Sequence, residues 1–321
     1  MGMTDPPLSP DHLSRARLRL RKTVPMRGVG SHLRRQAGQS LEFRDYRDYQ
    51  LGDDIRRVDW RASARKGPAR DWVLKLFEAE EQLNLMILVD DRAAMRLPDR
   101  AEKLLFALWA LRALAHVAGE AGDSIVLARM FTSNSRIVSV SGRACASAAE
   151  AFAEDLWSSS AASLDATPVF EPNRLRRHLF PASVVVVLSD LLFADEDGSV
   201  GAFLKDAQKS WRQVIIQPLD TVDAELASLT TTGGVKVSDT EGRSFGDAVF
   251  TPDAQLVCDL RMRLDALRAA HENRWRGPGI LYERPFVWPL PPDRTTLADH
   301  FRATFLTSGL FRAVTARGGV V

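Results

Sequence analysis

Two short runs of apolar residues, each ending in an aspartate, are the clearest pattern along the chain. Residues 83–90 read LNLMILVD and residues 183–190 read SVVVVLSD, without alternation of polar and apolar positions. An unbroken apolar strand indicates burial on both faces, as in a parallel sheet with helices on both sides. We therefore expect two adjacent or near-adjacent parallel strands whose terminal residues, Asp90 and Asp190, lie at the same carboxyl edge of one sheet.

Helical and strand patterns alternate around these two runs. Helices are predicted at about residues 99–119, 143–157, 173–179, 200–211, 253–274 and 296–306. Further strands are predicted at 124–131, 136–140, 213–218 and 279–283, with a hairpin between 233 and 250 that turns at 239–242. This alternation predicts an α/β fold of the Rossmann type, with a doubly wound and mostly parallel sheet.

The pattern changes near residue 82, which we take as the best domain boundary. Residues 1–36 form a basic N-terminal arm, in which a helix is expected to begin at Ser9 or Pro10. Residues 37–82 alternate in charge and lack a long apolar run, so they predict an extended, partly stranded collar. Residues 83–310 make up the predicted α/β domain.

The composition of the 321 residues is that of an ordinary globular protein, with 45% hydrophobic and 26% charged residues. Two cysteines, Cys145 and Cys258, cannot form a disulfide framework and fit a reducing compartment. The longest apolar stretch, residues 104–118, contains Arg112 and His116 and indicates a buried helix. Since the N-terminus also lacks the pattern of a signal peptide, we expect a cytoplasmic protein without a membrane span.

Charge is distributed unevenly between the N-terminal arm and the remainder. Residues 1–36 hold eight Lys or Arg and two Asp, which gives +6 and leaves about −4 for the rest of a chain whose net charge is +2. The arm therefore either packs on the acidic remainder of its own chain or binds nucleic acid, an anionic membrane or an acidic protein face. Both interpretations are open at this stage, and packing on the chain itself is the simpler one.

Common catalytic and cofactor motifs are absent from the sequence. There is no GxxxxGK[ST], HExxH, CxxC or GxSxG pattern, and the RGVG at residues 27–30 has Leu33 where a dinucleotide loop needs its third glycine. The six histidines are scattered, and none is close in sequence to Ser189. We therefore expect a protein that is not an enzyme and that has no catalytic residue, cofactor or metal.

One long segment is specific enough to suggest a family. Residues 41–65 read LEFRDYRDYQLGDDIRRVDWRASAR, and the first apolar strand is followed by DDRAAM at residues 90–95. Together they closely resemble the bacterial domain-of-unknown-function family 58, whose signature is similar to F-x-x-x-R-x-Y-x-x-G-D-D-x-R-x-I-D-W-x-x-x-A-R. The resemblance covers about residues 30–305. The positions that carry the motif are Gly52, Asp53, Asp54, Arg56, Arg57, Asp59, Trp60 and Arg65.

The resemblance implies a von Willebrand factor A-like fold and genes that lie next to those of MoxR-type AAA+ ATPases. These ATPases are thought to act as chaperones that assemble or activate other protein complexes. The resemblance thus points to a non-enzymatic adaptor that couples such an ATPase to a client protein. The alternative is a binding module that uses its basic arm on nucleic acid or an anionic membrane, although we do not expect a nucleic-acid partner.

Von Willebrand A-like domains often carry a metal-ion-dependent adhesion site with the pattern D-x-S-x-S. In this chain Asp90 matches the aspartate, but Arg92 and Ala94 occupy the two serine positions; Asp190 matches a later aspartate, and Thr167 is the best candidate for a threonine ligand. A permanently charged arginine disfavours a divalent cation. We therefore expect Arg92 to lie between Asp90 and Asp190 in place of a metal.

The motif segment itself admits two interpretations. Its alternating acids and arginines can form ion pairs that hold the collar to the sheet, with Trp60 as a buried anchor, or the same residues can form a docking surface for the ATPase. We favour the first interpretation. It predicts that Trp60 is largely buried and that Arg56, Arg57, Arg61 or Arg65 pairs with carboxylates.

Overall fold

A computed structural model describes most of the chain. The described residues are 6–15, 41–49, 55, 58–65, 72–79, 83–97, 102–132, 135–159, 169–180, 183–209, 213–230, 235–236, 249–250, 253–287 and 294–315. They form two compact units, one of residues 1–25 with 83–321 and one of residues 26–82. The second unit thus ends where the sequence places the start of the α/β domain. The described start of the arm, residues 6–15, groups with that domain.

The larger unit is built on one mixed sheet with the order β10-β7-β6-β3-β4-β5, and a short strand β11 also pairs with β7. These strands are β3 (Asn84–Val89), β4 (Ser124–Arg129), β5 (Val138–Ser141), β6 (Ser183–Ser189), β7 (Gln213–Asp220), β10 (Ile280–Tyr282) and β11 (Phe286–Val287). All these pairings are parallel except that of β4 with the edge strand β5.

The two apolar runs are neighbouring parallel strands, as predicted. Strand β3 pairs with β6 from Asn84 opposite Ser183 to Val89 opposite Leu188. Chain connections leave this pair in opposite directions across the sheet, so the strand order reverses between β3 and β6. This is the topological switch point at which open α/β sheets place their ligand sites, just beyond the carboxyl ends of the strands.

Burial on both faces explains why these strands are continuously apolar. Leu85, Ile87 and Val89 of β3 pack into one hydrophobic cluster, whereas Met86 and Leu88 pack into a second cluster. The first cluster includes buried residues of α3 (Glu102–Glu120), α4 (Ala144–Ser158), α9 (Arg294–Thr307) and α10 (Gly309–Thr315). The second includes α5 (Pro172–Arg176), α6 (Ser199–Gln208) and the C-terminal end of α8 (Ala254–Trp275).

The α/β fold is therefore confirmed, and the observed elements extend the predicted set. The sequence did not predict α7 (Val222–Thr230), β11 or α10, and the helix predicted at 173–179 ends at Arg176. The predicted hairpin is represented by β8 (Val235–Lys236) and β9 (Val249–Phe250), which pair antiparallel; its turn lies outside the described residues.

The start of the N-terminal arm packs on the α/β unit. Residues 10–15 are the described part of a helix, α1, and Leu8 and Leu13 are buried in the first hydrophobic cluster. The Ser14 hydroxyl donates to the Glu120 carboxylate (2.8 Å), and Arg302 Nε donates to a backbone carbonyl at residue 7 (2.7 Å). Burial of two leucines, more than charge, holds this part of the arm.

The smaller unit contains a two-stranded antiparallel sheet and a short helix. Strand β1 (Leu41–Asp48) pairs with β2 (Val73–Ala79), with a register shift between Phe43 and Asp45. Helix α2 (Trp60–Arg65) begins after Asp59, whose carboxylate accepts hydrogen bonds from two backbone N–H groups of the first turn. An aspartate before the first turn satisfies donors that have no partner within the helix.

Within the described ranges, no helix is both long enough and apolar enough to cross a bilayer.

Candidate functional site

The switch point between β3 and β6 brings two buried carboxylates together. Asp90 follows β3 and Asp190 follows β6, and neither residue is exposed to solvent. The backbone N–H of Asp90 continues the sheet pairing by donating to the Leu188 carbonyl (3.0 Å). Two carboxylates this deeply buried require cations or hydrogen-bond donors around them.

Arg92 supplies a cation that contacts both carboxylates. Its Nη2 lies 2.7 Å from Asp90 Oδ2 and 2.6 Å from Asp190 Oδ1. Its Nε lies 3.0 Å from Asp90 Oδ1, and Nη1 donates to the Leu192 carbonyl (3.2 Å). The predicted position of Arg92 between the two aspartates is confirmed.

Aromatic rings cover the same guanidinium. The central carbon of Arg92 lies 4.9 Å from the ring centroid of Phe193 and 5.4 Å from that of Phe131. Rings at this distance attract a cation through the negative charge of their faces, and more strongly where water is excluded. The arginine side chain is 1% exposed, so it is enclosed between carboxylates on one side and rings on the other.

Lys103 is a second buried cation, which the sequence analysis did not identify. From the second position of α3, its Nζ lies 2.9 Å from Asp190 Oδ2 and 2.9 Å from Glu225 Oε1. Glu225 in turn accepts a hydrogen bond from the Thr221 hydroxyl. The sequence did offer a signal for this cation. A lysine at the start of an otherwise apolar helix is a candidate for burial, and a buried lysine almost always has a partner.

The charges in this cluster stabilise one another. Burial alone would raise the pKa of Asp190, but attraction by Arg92 and Lys103 outweighs it and holds this pKa below its ordinary value. Burial likewise opposes the charge of Lys103, yet Asp190 and Glu225 raise the pKa of Lys103 above its ordinary value. Both groups are therefore charged at neutral pH.

A third cation ties the cluster to the neighbouring strand. Arg268 on α8 donates through Nε to the backbone carbonyl of Asp190 (3.1 Å) and through Nη2 to that of Leu219 (3.2 Å). Its Nη1 also lies 2.9 Å from Asp220 Oδ2. Arg268 thereby connects the carboxyl ends of β6 and β7, and it was not identified from the sequence.

The loop after β6 is bent to direct its polar groups into the cluster. The Ser189 hydroxyl donates to Asp90 Oδ2 (2.6 Å) and accepts from the N–H of Leu191 (2.9 Å). Leu191 itself is buried and adopts a φ of 59°, a left-handed conformation that costs energy for any residue with a Cβ atom. The N–H of Leu192 donates to Asp190 Oδ1 (2.9 Å).

Asp91 forms a separate contact at the same edge. Its carboxylate accepts from the N–H of Phe131 (2.8 Å) and from the hydroxyl of Thr132, both of which follow β4. Burial raises the pKa of Asp91 above its ordinary value, while those two hydrogen bonds act in the opposite direction. Thr132 thus supplies a hydroxyl at this edge that the sequence analysis missed, whereas the predicted Thr167 lies outside the described residues.

The residues present do not fit the divalent cation that the family resemblance suggests. The space between Asp90 and Asp190 holds the Arg92 guanidinium, with a nitrogen within 2.7 Å of an oxygen of each. Ala94, in the short 3-10 turn Ala93–Arg96, offers no ligand atom. In the parts of the chain that the structure describes, no three His, Cys, Asp or Glu side chains come together as a metal site. A hard cation prefers several oxygen ligands and would meet fixed positive charge here.

The smaller unit departs from the sequence prediction, because Trp60 is 56% exposed and not buried. Trp60 is the first residue of α2, and the side of this helix that packs inward carries Ser63. The Ser63 hydroxyl accepts from the N–H of Val73 (2.9 Å), so a small polar residue takes the position against β2. Val58 is buried beside it, and Trp60 is left on the outside.

Trp60 instead belongs to a row of three partly exposed rings. Its centroid lies 5.6 Å from that of Trp72 at an angle of 66°, and Trp72 lies 5.3 Å from Tyr49 at 63°. Trp72 is itself 39% exposed. These edge-to-face contacts are favourable geometries for aromatic pairs, and they leave apolar surface in contact with water.

None of the predicted ion pairs of the motif segment is found among the described residues. Arg61 and Arg65 are exposed, and neither has an ion-pair partner among the residues that the structure describes. Asp59 caps α2 through its carboxylate (3.0 Å to the N–H of Arg61). The remaining motif positions, Gly52, Asp53, Asp54, Arg56 and Arg57, lie outside the described residues.

Comparison with known proteins gives one family. The family described as "Protein of unknown function DUF58" matches residues 45–273, which is more than half of the chain and includes both the motif segment and the switch point. None of the curated proteins matches the chain.

Proposed function

The chain belongs to the DUF58 family, and we propose that it is a non-enzymatic adaptor that binds a MoxR-type AAA+ ATPase and a client protein complex in the cytoplasm. The ATPase and the client come from the resemblance of the motif segment to this family. The observation that carries the proposal is the exposed Trp60–Trp72 pair within that segment. The pair is the kind of surface that one protein presents to another.

The residue types on this surface are those that dominate binding between proteins. Tryptophan, tyrosine and arginine are enriched among the few residues that carry most of an interface's binding energy. Trp60 and the exposed Arg61 lie on α2, and Trp60 is brought together with Trp72, just before β2, and Tyr49, just after β1. Ile55, 52% exposed, adds apolar surface in the same segment.

The switch point supports an adaptor more than an enzyme. Its carboxylates are occupied by Arg92, Lys103 and the hydroxyl of Ser189, all within 3 Å. A general base or nucleophile must instead be free to reach a substrate atom. In this proposal, the cluster fixes the carboxyl edge of the sheet as a rigid support, and recognition takes place elsewhere.

Binding of the full chain to a purified MoxR-type AAA+ ATPase from the same organism tests the proposal. We expect a complex by light scattering after size-exclusion chromatography, and a change in ATPase rate when the chain is added. The double variant W60A/W72A should weaken the complex by about tenfold or more, whereas M262A, another exposed apolar residue, should leave it unchanged. Failure of the wild-type chain to bind any such ATPase would overturn the proposal.

Binding through the basic arm is the alternative function. Leu8 and Leu13 hold the start of the arm on the α/β unit, while most of the arm's basic residues follow in sequence. Contacts with phosphates of nucleic acid or lipid lose affinity steeply as salt rises, whereas a packed aromatic contact does not. Affinity for an oligonucleotide or for anionic vesicles that falls with salt and disappears when residues 16–36 are deleted would favour this alternative.

A further inference from the structure

We propose that one surface of the smaller unit binds an acidic segment of a partner protein that also carries a large apolar side chain. We call it the Trp60–Trp72 surface and define it by Trp60, Arg61, Arg65 and Trp72. The inference rests on the proposed adaptor function and specifies the chemistry of the partner at this surface.

The two tryptophans are held in place before any partner arrives. The N–H of Asp59 donates to the Val73 carbonyl (2.8 Å), and the Ser63 hydroxyl accepts from the Val73 N–H (2.9 Å). The N–H of Tyr49 donates to the Trp72 carbonyl (2.7 Å). The residues next to Trp60 and Trp72 are thus joined by backbone hydrogen bonds, so little conformational freedom is lost when a partner binds the rings.

The positive charge next to the rings determines which sign of charge a partner must carry. Arg61 and Arg65 are exposed on the same short helix as Trp60, without ion-pair partners among the described residues. Residues 60–72, which run from one tryptophan to the other, hold four Arg or Lys and one Asp. Guanidinium groups pair bidentately with carboxylates, so this surface favours an acidic segment.

The arrangement favours a protein over a nucleic acid. Stacking of bases needs an open ring face, but Trp60, Trp72 and Tyr49 meet edge to face, at angles of 63° and 66°, so that neighbouring rings occupy part of those faces. An aliphatic or aromatic side chain of a protein can instead pack against the exposed parts of both tryptophans.

Fluorescence anisotropy with short labelled peptides tests the chemistry on the full chain. The first peptide alternates Asp and Glu with Leu and Phe; the second replaces its acids by Lys; the third replaces its apolar residues by Ser. We expect only the first to bind measurably. A single-stranded oligonucleotide of the same charge serves as the fourth probe and should bind at least about tenfold more weakly than the first peptide.

Variants then locate the site. W60A/W72A and R61E/R65E should each weaken binding of the first peptide by about tenfold or more. R143E/R276E changes the same charge at two arginines exposed on the other unit, and M262A removes an exposed apolar side chain there; both should bind as the wild type does. Circular dichroism of each variant checks that it is folded.

The outcomes separate the two proposals. If the first peptide competes with the ATPase for the chain and R61E/R65E weakens both, the inference is supported. If the ATPase binds but its affinity is unchanged in R61E/R65E and in the presence of the peptide, the inference is overturned while the adaptor function stands. Tighter binding of the oligonucleotide than of the peptide also overturns the inference. If the peptide binds but no MoxR-type ATPase does, the adaptor function fails and the chemistry of the surface stands.

Discussion

Arginine and aromatic rings occur together in two regions of this protein, with opposite consequences. At the switch point, Arg92 is enclosed by Asp90, Asp190 and the rings of Phe131 and Phe193. In the smaller unit, the same residue types stand on the surface around Trp60, without ion-pair partners among the described residues for two of the arginines.

This difference shows that the residue types in a charged segment do not by themselves determine its role. Where surrounding strands exclude water, each charge must find a partner, and the result is a closed network. Where water remains, an arginine is stable without a partner, and its donors stay available to another molecule. The charges of the first region are enclosed and paired, whereas the second region leaves guanidinium donors and aromatic surface exposed to solvent.

The largest effect is expected from breaking the closed network. Arg92→Leu removes the cation between Asp90 and Asp190 and leaves buried charge uncompensated, so the free energy of unfolding should fall by about 3–5 kcal/mol. Arg276→Leu, which removes an exposed arginine paired only with Glu272, should change it by less than about 1 kcal/mol. Urea unfolding followed by circular dichroism measures both. A loss below about 1 kcal/mol for Arg92→Leu would show that the network is not important for stability.

Acid should weaken the closed network next. The pKa of Asp190 is lowered in the folded chain relative to its ordinary value of 3.8. As pH falls, Asp190 is therefore protonated in the unfolded chain at a higher pH than in the folded chain. The resulting stabilisation is complete well above pH 3.8 and is lost as pH falls through the lowered folded value. Asp190→Asn should be less stable than wild type at pH 7, and the difference should shrink at low pH, in urea titrations at several pH values. The exposed Asp299→Asn variant should follow the wild-type pH profile. A pH-independent difference for Asp190→Asn would contradict the assignment.

A smaller effect on stability is expected for the open surface. Because Trp60 is exposed and contacts Trp72 edge-on, Trp60→Ala should lower the free energy of unfolding by less than about 1.5 kcal/mol. Trp275→Ala, at a tryptophan that is 1% exposed, should cost about 3–5 kcal/mol. Equal losses in urea unfolding would mean that Trp60 anchors the segment, as the sequence first suggested.

At the other end of the scale, Mg²⁺ should have no effect at the switch point. Isothermal calorimetry of the wild-type chain should show no binding at the loop after β3, and a chelator should leave partner binding unchanged, because Arg92 holds the position between the aspartates. The double variant Arg92→Ser with Ala94→Ser restores the two hydroxyls that such a site uses and should gain Mg²⁺ binding if water or another oxygen completes the sphere. A magnesium signal in the wild type that Asp90→Asn abolishes would refute this.

The fold and the centre of the network were predictable because they depend on local pattern. Continuous apolar runs fix which strands are central, and the terminal Asp90 and Asp190 then lie at the same edge of the sheet. Arg92 is two residues from Asp90, so a short loop suffices to bring its guanidinium between the two carboxylates.

Lys103, Glu225 and Arg268 could not be assigned in the same way. Lys103 on α3 and Arg268 on α8 contact Asp190, and Glu225 on α7 contacts Lys103. Which residues of these three helices meet depends on how the helices pack, and local sequence pattern does not determine that.

The sequence by itself determined the class of fold, the strand pair at its centre and the family to which the chain belongs. Only the tertiary structure decided which side of α2 faces inward, and therefore that Ser63 is buried and Trp60 is exposed. The physical reason is the length of that helix. With six residues, α2 has too few positions for hydrophobic periodicity to define a buried face. The orientation of α2 is set by the hydrogen bonds that Asp59 and Ser63 form with Val73. The hydrophobic pattern of the sequence does not indicate that these two parts of the chain meet.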